Sequence, residues 1–273
     1  MFLYPISDMH IDLNPKLFLE KNIEKTFGFL RDYRDVVICA CGDIAERTLG
    51  IKYFEKLLEL QPDLQIVYIP GNHEFYGSNI DEMYEDLHTL GALTHRNLHV
   101  LDGKYITHAI IGNCLFTGAT LWTDYHNGSP IVMNEIQRLF NDYIRIYSGT
   151  PFKPITTNRI MQEHFIHKKN ILRHLKKYKD VKYKIVMTHH QPYFPSCVVG
   201  ADAFAFYTDM LTSLKELDTK ELPDFWFSGH THASTYLPQI INNKEVIFAS
   251  NQLGYKSEYG VTGYNENCIF ELT

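Results

Sequence analysis

The chain has 273 residues, of which 45% are hydrophobic and 21% are charged. This composition is typical of a folded globular protein and excludes a disordered or fibrous chain. The formal net charge of −6 argues against a broad basic surface for duplex nucleic acid, although it leaves room for a local positive site. No apolar run approaches the roughly 20 residues of a membrane span, so we expect no membrane partner.

Five cysteines stand at positions 39, 41, 114, 197 and 268, without the spacing of a disulfide framework. Cys39 and Cys41 lie in the apolar run "VVICACGD", which favours buried reduced thiols over a metal-binding pair. The N-terminus "MFLYPISDMHID" has no basic head, and its apolar run ends near residue 6, unlike that of a signal peptide. We therefore predict a cytoplasmic protein.

The first hundred residues alternate short apolar runs with longer amphipathic ones. The runs at 2–6, 35–40 and 64–69 predict strands, and helices are predicted from near Lys16, over 48–60 before Pro62, and over 79–90 closed by Gly91. This β-α-β-α-β-α order predicts right-handed crossovers and a largely parallel sheet core. Continuous apolar strands indicate a sheet that is covered on both faces.

Beyond residue 97 the pattern changes to short strands and tight turns. Residues 121–180 are predicted to be mostly helical, and strands return with "KIVMTHH", "DFWFSGHTH" and the apolar runs of the tail. No segment has the composition of a linker, so we predict one α/β domain over residues 1–273 with a helical, cap-like insertion near 121–180. The insertion either covers a site and selects substrates or only buries apolar area.

Polar clusters follow the predicted strands. Their members are Asp8 and His10 in "SDMHID", Asp43 in "CGDIAER", Asn72 and His73 in "PGNHEFY", His189 and His190 in "THHQP", and His230 and His232 in "FSGHTHAST". Side chains two apart in an extended segment point the same way, so Asp8 and His10 are predicted to face one ion. Ligand sites of α/β sheets gather beyond the carboxyl ends of strands, and the combination therefore predicts a metal site.

Each cluster also has a simpler interpretation when it is taken alone. Asp43 is typical of a helix N-cap, Asn72 is typical of a turn, and a histidine beside a strand is usually a hydrogen-bonded polar tip. His164 and His167, three apart on a predicted helix, have no evident carboxylate or cysteine partner, so we interpret them as surface or packing histidines.

The series D-x-H, G-D, G-N-H-E, a later H and G-H-x-H resembles the signature of the calcineurin-like metallophosphoesterase superfamily. Here it reads Asp8-Met9-His10, Gly42-Asp43, Gly71-Asn72-His73-Glu74, His189 and Gly229-His230-Thr231-His232. The segments "GATLWTDY" and "SNQLGYKSE" are similar to those of a cytosolic bacterial and phage-type branch. The resemblance implies a four-layer α/β/β/α sandwich that holds two metal ions.

The resemblance also implies a role for each of these residues. One ion would be bound by Asp8, His10, Asp43 and His232, and the other by Asp43, Asn72, His189 and His230, with Asp43 bridging. His73 would lie near the leaving-group oxygen. Of the pair at 189 and 190, the resemblance assigns the metal to His189.

Two departures from the family pattern concern the substrate. Glu46 stands where many members carry Asp or Asn, followed by Arg47, and this change is expected to weaken an Asp–His relay to His73. "NQLGY" replaces an expected N-P-R-G-Y, so an arginine is missing from a loop that would face the substrate.

A ligand set without thiolate suits Mn, Fe, Zn, Ni or Co ions and does not choose among them. A hydroxide bridging two such ions can attack phosphorus, so we predict a dinuclear metal-dependent phosphodiesterase acting on a small phosphorylated substrate. A phosphomonoesterase or nucleotide pyrophosphohydrolase is the alternative within the same chemistry, and a non-catalytic metal-binding scaffold is the alternative outside it. A nucleic-acid substrate is not favoured by the net charge, and the sequence leaves the oligomeric state open.

Overall fold

Two mixed β-sheets lie against each other in the computed structural model, which describes residues 1–194, 200 and 202–273. In spatial order, the first sheet contains β14 (Phe270–Glu271), β1 (Phe2–Ile6), β2 (Val36–Cys41), β3 (Gln65–Ile69) and β5 (Leu98–Val100). The second contains β12 (Thr235–Ile241), β13 (Lys244–Ser250), β11 (Phe225–Phe227), β10 (Tyr183–Thr188), β7 (Cys114–Ala119) and β6 (His108–Ile111).

Both sheets have a parallel core. Strands β1, β2, β3 and β5 pair in parallel in the first sheet, as do β7, β10, β11 and β13 in the second. The antiparallel strands β14, β6 and β12 lie at sheet edges. The predicted parallel core is therefore confirmed.

Strand β2 shows how alternating side chains join the layers. Val37, Cys39 and Cys41 belong to the apolar cluster shared by the two sheets, whereas Ile38 and Ala40 belong to the cluster under the helices. This period of two is the geometry of a strand, and it buries both faces of the sheet. Cys39, Cys41, Cys114 and Cys268 are free thiols, and Cys197 lies outside the described residues.

Helices cover the outer face of each sheet and complete four layers. The cluster outside the first sheet contains residues of α1 (Glu20–Phe27), α2 (Leu49–Leu60) and α3 (Ile80–Leu93). The cluster outside the second contains Ile171 and Leu175 of α7 (Thr157–Lys177) and Leu214 of α8 (Leu211–Lys215). The mixed α/β fold is thus the expected α/β/β/α arrangement. Among the described residues, no helix combines the length and apolar character needed to cross a bilayer.

Two predicted helices have different bounds. The helix expected from near Lys16 is broken into a 3-10 turn at Pro15–Phe18, α1, and a 3-10 turn at Gly28–Asp32. The extended backbone of Leu19 separates the first turn from α1. Gly91 does not close α3, which continues to Leu93. A Cβ atom at Gly91 would lie 2.9 Å from Cβ of Val100, so the glycine serves close packing on β5 instead.

Residues 121–180 contain α4 (Tyr125–Gly128), α5 (Pro130–Leu139), α6 (Asp142–Arg145) and α7, together with β8 (Ile146–Ser148) and β9 (Lys153–Pro154). The turn called α4 has φ angles of 50–75° and is therefore left-handed. Strand β8 pairs in parallel with β4 (Ser78–Asn79), which lies just beyond the "PGNHEFY" loop. This pairing holds the segment that contains α6 next to that loop.

Candidate metal centre

The predicted site residues all lie in loops that follow the carboxyl ends of parallel strands. Asp8 and His10 follow β1, Asp43 follows β2, Asn72 and His73 follow β3, His189 follows β10, and His230 and His232 follow β11. These loops meet because the hydrogen bonds from Asp8 N to Gly42 O and from Gly229 N to His189 O, 3.1 and 2.9 Å long, join neighbouring strand ends. The backbone N–H of His230 also donates to Oδ1 of Asp8 at 3.0 Å, which joins the loops of the two sheets. The structure thus brings the predicted site residues together at one place.

The loop backbone is left-handed at five of these residues, which are Asp8 (φ 55°), His10 (φ 43°), Asp43 (φ 52°), His230 (φ 75°) and His232 (φ 50°). Asp8 and His10 do converge, but the reason predicted for it, an extended segment, was wrong. For residues other than glycine, left-handed backbone costs conformational energy. Such residues occupy it where the surrounding structure imposes it, most often at functional sites.

Two glycines allow the loops after β2 and β3 to touch. Gly42 has a φ of 81°, and a Cβ atom there would lie 2.5 Å from the backbone N of Gly71. A Cβ atom at Gly71 would collide with the carboxylate of Asp43. The glycines of the G-D and G-N-H-E motifs therefore serve the close approach of these two backbones.

Glu74 holds the same two loops together. Its buried carboxylate accepts hydrogen bonds from the backbone N–H groups of Gly71 (2.7 Å) and Asp43 (3.0 Å), as well as from Ile44 and the Tyr68 hydroxyl. Burial and the nearby Asp43 raise the pKa of Glu74 to about 8. Sequence reasoning quoted this residue and gave it no role, although carboxylates that follow a turn often bond its free N–H groups.

The first group of side chains that could hold a metal consists of Asp8, His10 and His232. Nε2 of His232 lies 3.5 Å from Oδ1 of Asp8 and 3.1 Å from Nε2 of His10. Nδ1 of His232 bonds Oε2 of Glu258 at 2.6 Å. This outer bond places the proton on Nδ1 and directs the Nε2 lone pair towards the group.

The second group contains Asp43, His189 and His230, with Asn72 beside them. Nε2 of His189 lies 2.9 Å from Oδ1 of Asn72, 3.3 Å from Oδ1 of Asp43 and 3.1 Å from Nδ1 of His230. Nδ1 of His189 bonds the carbonyl of Cys41 at 2.9 Å. His189 therefore also presents a lone pair to a set of acceptor atoms.

Asp43 lies between the two groups. Its Oδ1 is next to His189, while its Oδ2 lies 4.0 Å from Nε2 of His10 and 3.8 Å from Nε2 of His73. Its Oδ1 also accepts the backbone N–H of His73 at 2.9 Å. His10, Asp43 and His73 form a third group of potential ligands.

The electrostatic environment of both groups favours a bound cation. Burial lowers the pKa of His189, but the charge of Asp43 outweighs it and leaves the pKa at about 10. Burial likewise lowers the pKa of His232, but Asp8 and Glu258 outweigh it and leave the pKa at about 9. Acceptor atoms that converge at 2.9–3.5 Å repel one another unless a proton or metal ion lies between them. The donor set therefore fits metal ions that bind imidazole and carboxylate.

Three residues that support the site carried no prediction. The ring of Tyr255 packs on His10 at 4.4 Å between centroids, and its hydroxyl lies 3.4 Å from Nε2 of His73. Gln252 accepts the backbone N–H of His232 at 2.7 Å, and Glu258 bonds its ring. All three lie in the segment "SNQLGYKSE", whose sequence showed a likeness to one branch of the family and a departure from N-P-R-G-Y but indicated no role for these residues.

The other predicted details can be located as well. Asp43 does not cap α2, whose N-cap position is Thr48. The carboxylate of Glu46 bonds Arg145 at 2.7 Å, and the ring of His190 is buried against His230 at 4.2 Å between centroids. Thr231 faces Gln252, whose amide donates to its hydroxyl at 3.0 Å.

Comparisons with known proteins agree with this architecture. Residues 5–234 match the family described as calcineurin-like phosphoesterase. An uncharacterized protein of Acanthamoeba polyphaga mimivirus is 28% identical over 278 aligned positions, covering 93% of this chain and 91% of that protein. The crystal structure of phosphopantetheinyl hydrolase from Mycobacterium tuberculosis has the same fold, with a TM-score of 0.62 and 16% identity over 94% of this chain and 90% of that one. The chain belongs to the calcineurin-like phosphoesterase family and is a metal-dependent hydrolase.

Proposed function

We propose that the protein is a dinuclear phosphodiesterase. The first ion would be held by Asp8, His10, Asp43 and His232, and the second by Asp43, Asn72, His189 and His230. The observation that carries the proposal is the position of the Asp43 carboxylate, whose two oxygens face the two groups separately. A carboxylate in this position can bridge two cations with its two oxygens.

The charge of such a centre suits an anionic phosphoryl group. Asp8 and Asp43 are the only charged ligands in the set, because imidazoles and the Asn72 amide are neutral when they bind. Two divalent ions therefore leave a net positive site in a protein whose net charge is −6. When bound, ions of the Mn, Fe, Zn, Ni or Co class supply Lewis acidity and make water a better nucleophile at neutral pH.

The proposed role of His73 is to protonate the leaving group. Its ring lies between those of Tyr76 and His10, at 4.3 and 4.5 Å between centroids, and its backbone N–H is fixed by Asp43. Nε2 of His73 lies 3.8 Å from Oδ2 of Asp43, at the proposed metal centre. A proton on Nε2 can pass to the departing oxygen, and a diester needs this help because an alkoxide leaves poorly.

The first experiment compares Asp43→Ala and His73→Ala with the wild type, using bis-p-nitrophenyl phosphate and added Mn²⁺. Turnover of this substrate should fall by on the order of 10²-fold or more in Asp43→Ala, which loses a proposed metal ligand. Because p-nitrophenolate leaves without a proton, a loss of similar size in His73→Ala is expected on a diester with an alkoxide leaving group, such as a cyclic nucleotide. Asp86→Ala, which removes an exposed carboxylate of α3, is the matched control. Unchanged turnover in both site variants would refute the proposal.

A second comparison separates the alternatives. A phosphomonoesterase would prefer p-nitrophenyl phosphate to the bis-ester, and a pyrophosphohydrolase would cleave nucleotides in preference to both. A metal-binding scaffold would bind metal without turning over any substrate. The panel should also contain cyclic nucleotides, dinucleotides, glycerophosphodiesters and a phosphopantetheinyl compound, the last because of the activity for which the structural neighbour is named.

A further inference from the structure

We propose that Asp142, a residue of the 121–180 insertion, is a positioning residue that orients the Asn72 amide for metal binding. The inference rests on the proposed function, because it concerns a proposed ligand of the second ion. It makes the insertion a structural part of the metal centre instead of a cover placed over it.

The evidence is the hydrogen bonding on the far side of Asn72. Nδ2 of Asn72 donates to Oδ1 of Asp142 at 2.9 Å and lies 3.2 Å from the Tyr76 hydroxyl. The Tyr76 hydroxyl itself donates to the same Oδ1 at 2.8 Å. One carboxylate oxygen therefore receives the amide and the phenol together.

The two ends of an amide have opposite chemistry, and this is why the contact matters. A carboxylate only accepts hydrogen bonds, so it selects the NH2 end of Asn72. Oδ1 of Asn72 then faces Nε2 of His189, 2.9 Å away. Only the oxygen of the amide can bind a cation, and a half-turn of the side chain would present N–H groups to it instead.

The insertion holds Asp142 firmly in this position. Asp142 begins α6, and the carbonyl of Arg145 at the end of α6 accepts the backbone N–H of Gly77 at 2.7 Å. The Arg145 guanidinium lies over the Tyr76 ring at 4.4 Å. The pairing of β8 with β4 continues the same contact. The segments that contain Asp142 and Asn72 are thus joined by backbone hydrogen bonds as well as by these two side chains.

The experiment measures metal affinity in the full-length protein, by equilibrium dialysis against Mn²⁺ with elemental analysis. Outer hydrogen-bond partners of metal ligands typically contribute 10–100-fold to affinity. We therefore expect Asp142→Ala to lower the affinity for one of the two Mn²⁺ ions by about 10–100-fold. Asp142→Leu, which has a similar branched shape but no acceptor, should do the same and is available if the alanine variant does not fold.

Two further variants separate positioning from a general loss of structure. Asp142→Asn retains an acceptor oxygen and should restore most of the affinity. Glu135→Ala removes an exposed carboxylate of α5 in the same insertion and should bind as the wild type does. The visible spectrum of the Co²⁺-substituted protein should change in the alanine and leucine variants and return in the asparagine variant.

Asn72→Ala is the reference that keeps the two proposals distinguishable. If it loses one equivalent while Asp142→Ala and Asp142→Leu keep both at wild-type affinity, the role of Asp142 is refuted and the ligand assignment stands. If Asn72→Ala itself keeps both equivalents at wild-type affinity, the ligand assignment fails, and the inference about Asp142 fails with it.

Discussion

Two groups of histidines are buried in this protein, one at the carboxyl ends of the strands and one along α7. Carboxylates accompany the first group and raise the pKa values of two of its members, His189 and His232, to about 10 and 9 in spite of burial, whereas burial lowers the pKa values of His10 and His230. Among the described residues, no carboxylate raises the pKa of His167 or His174 on α7, and burial lowers these pKa values to about 3 and 4. Burial alone therefore does not make a histidine functional, and the adjacent carboxylates decide whether the site attracts a cation.

The contacts of the α7 group agree with a packing role. Nε2 of His167 lies 3.3 Å from the Tyr84 hydroxyl, and His174 bonds the Thr117 hydroxyl at 3.0 Å. Nδ1 of His164 bonds the carbonyl of Leu121 at 3.0 Å. Within the described part of the chain, the groups of acidic and histidine side chains that could hold a metal all lie at the strand ends. The interpretation of His164 and His167 as packing histidines agrees with these contacts.

The largest difference between the groups should appear when one histidine of each group is replaced in separate variants. His189→Gln should reduce phosphodiesterase turnover by more than about 100-fold and remove one metal equivalent, because loss of an outer partner alone costs 10–100-fold. His167→Gln should keep both properties and lower the free energy of unfolding by about 1–3 kcal/mol. Turnover and elemental analysis measure the first pair of outcomes, and urea unfolding measures the second. Equal losses of metal in the two variants would remove the distinction between the groups.

A smaller effect should follow from weakening the carboxylate behind His232. Glu258→Gln keeps an acceptor 2.6 Å from Nδ1 of His232 but removes its charge, so we expect affinity for one Mn²⁺ equivalent to fall about tenfold. Equilibrium dialysis measures the change. Glu266→Gln, an exposed carboxylate of the same C-terminal region, is the control. Wild-type affinity in the Glu258 variant would show that the hydrogen bond acts without the charge.

Histidines with lowered and with raised pKa values should affect stability at opposite ends of the pH range in metal-free protein. The pKa of His167 is lowered to about 3, so below pH 6.5 the unfolded chain binds a proton that the folded chain does not. Stability should therefore fall as the pH falls, by roughly 1.5–2 kcal/mol between pH 6.5 and 5 for this one residue. The raised pKa values of His189 and His232 have the opposite sign, and their contribution should be lost as the pH rises from 6.5 towards 9–10.

Urea unfolding in EDTA over this pH range tests both slopes. His167→Gln should make the acid limb shallower and leave the alkaline limb unchanged, whereas His189→Gln should make the alkaline limb shallower. An acid limb that is the same in the wild type and in His167→Gln would contradict the assignment of a neutral, buried imidazole.

The smallest effect is expected at Tyr255. Tyr255→Phe keeps the ring that packs on His10 and removes the hydroxyl 3.4 Å from Nε2 of His73. One hydrogen bond contributes about 0.5–1.5 kcal/mol, so kcat should fall by no more than about tenfold with metal content unchanged. Steady-state kinetics and elemental analysis measure the two quantities. A loss of metal would instead indicate that the hydroxyl supports the centre itself.

Much of the framework could be read from the sequence. Three apolar runs predicted β1, β2 and β3 to within a residue or two, because buried strands have a strong local pattern. Motif residues after successive strands predicted a common site, because carboxyl ends of parallel strands share one edge. The length of α3 was not readable, because the packing of Gly91 on Val100 depends on a residue outside the helix.

The amino-acid sequence by itself determined which side chains gather and at which edge of the sheets. Only the tertiary structure decided how they are held. The left-handed backbone at Asp8 and His10 follows from neighbouring strands, and the bond from Asn72 to Asp142 joins residues 70 positions apart. Local periodicity records the secondary structure that a segment prefers, but it carries no signal for a hydrogen bond that forms only after distant segments have packed.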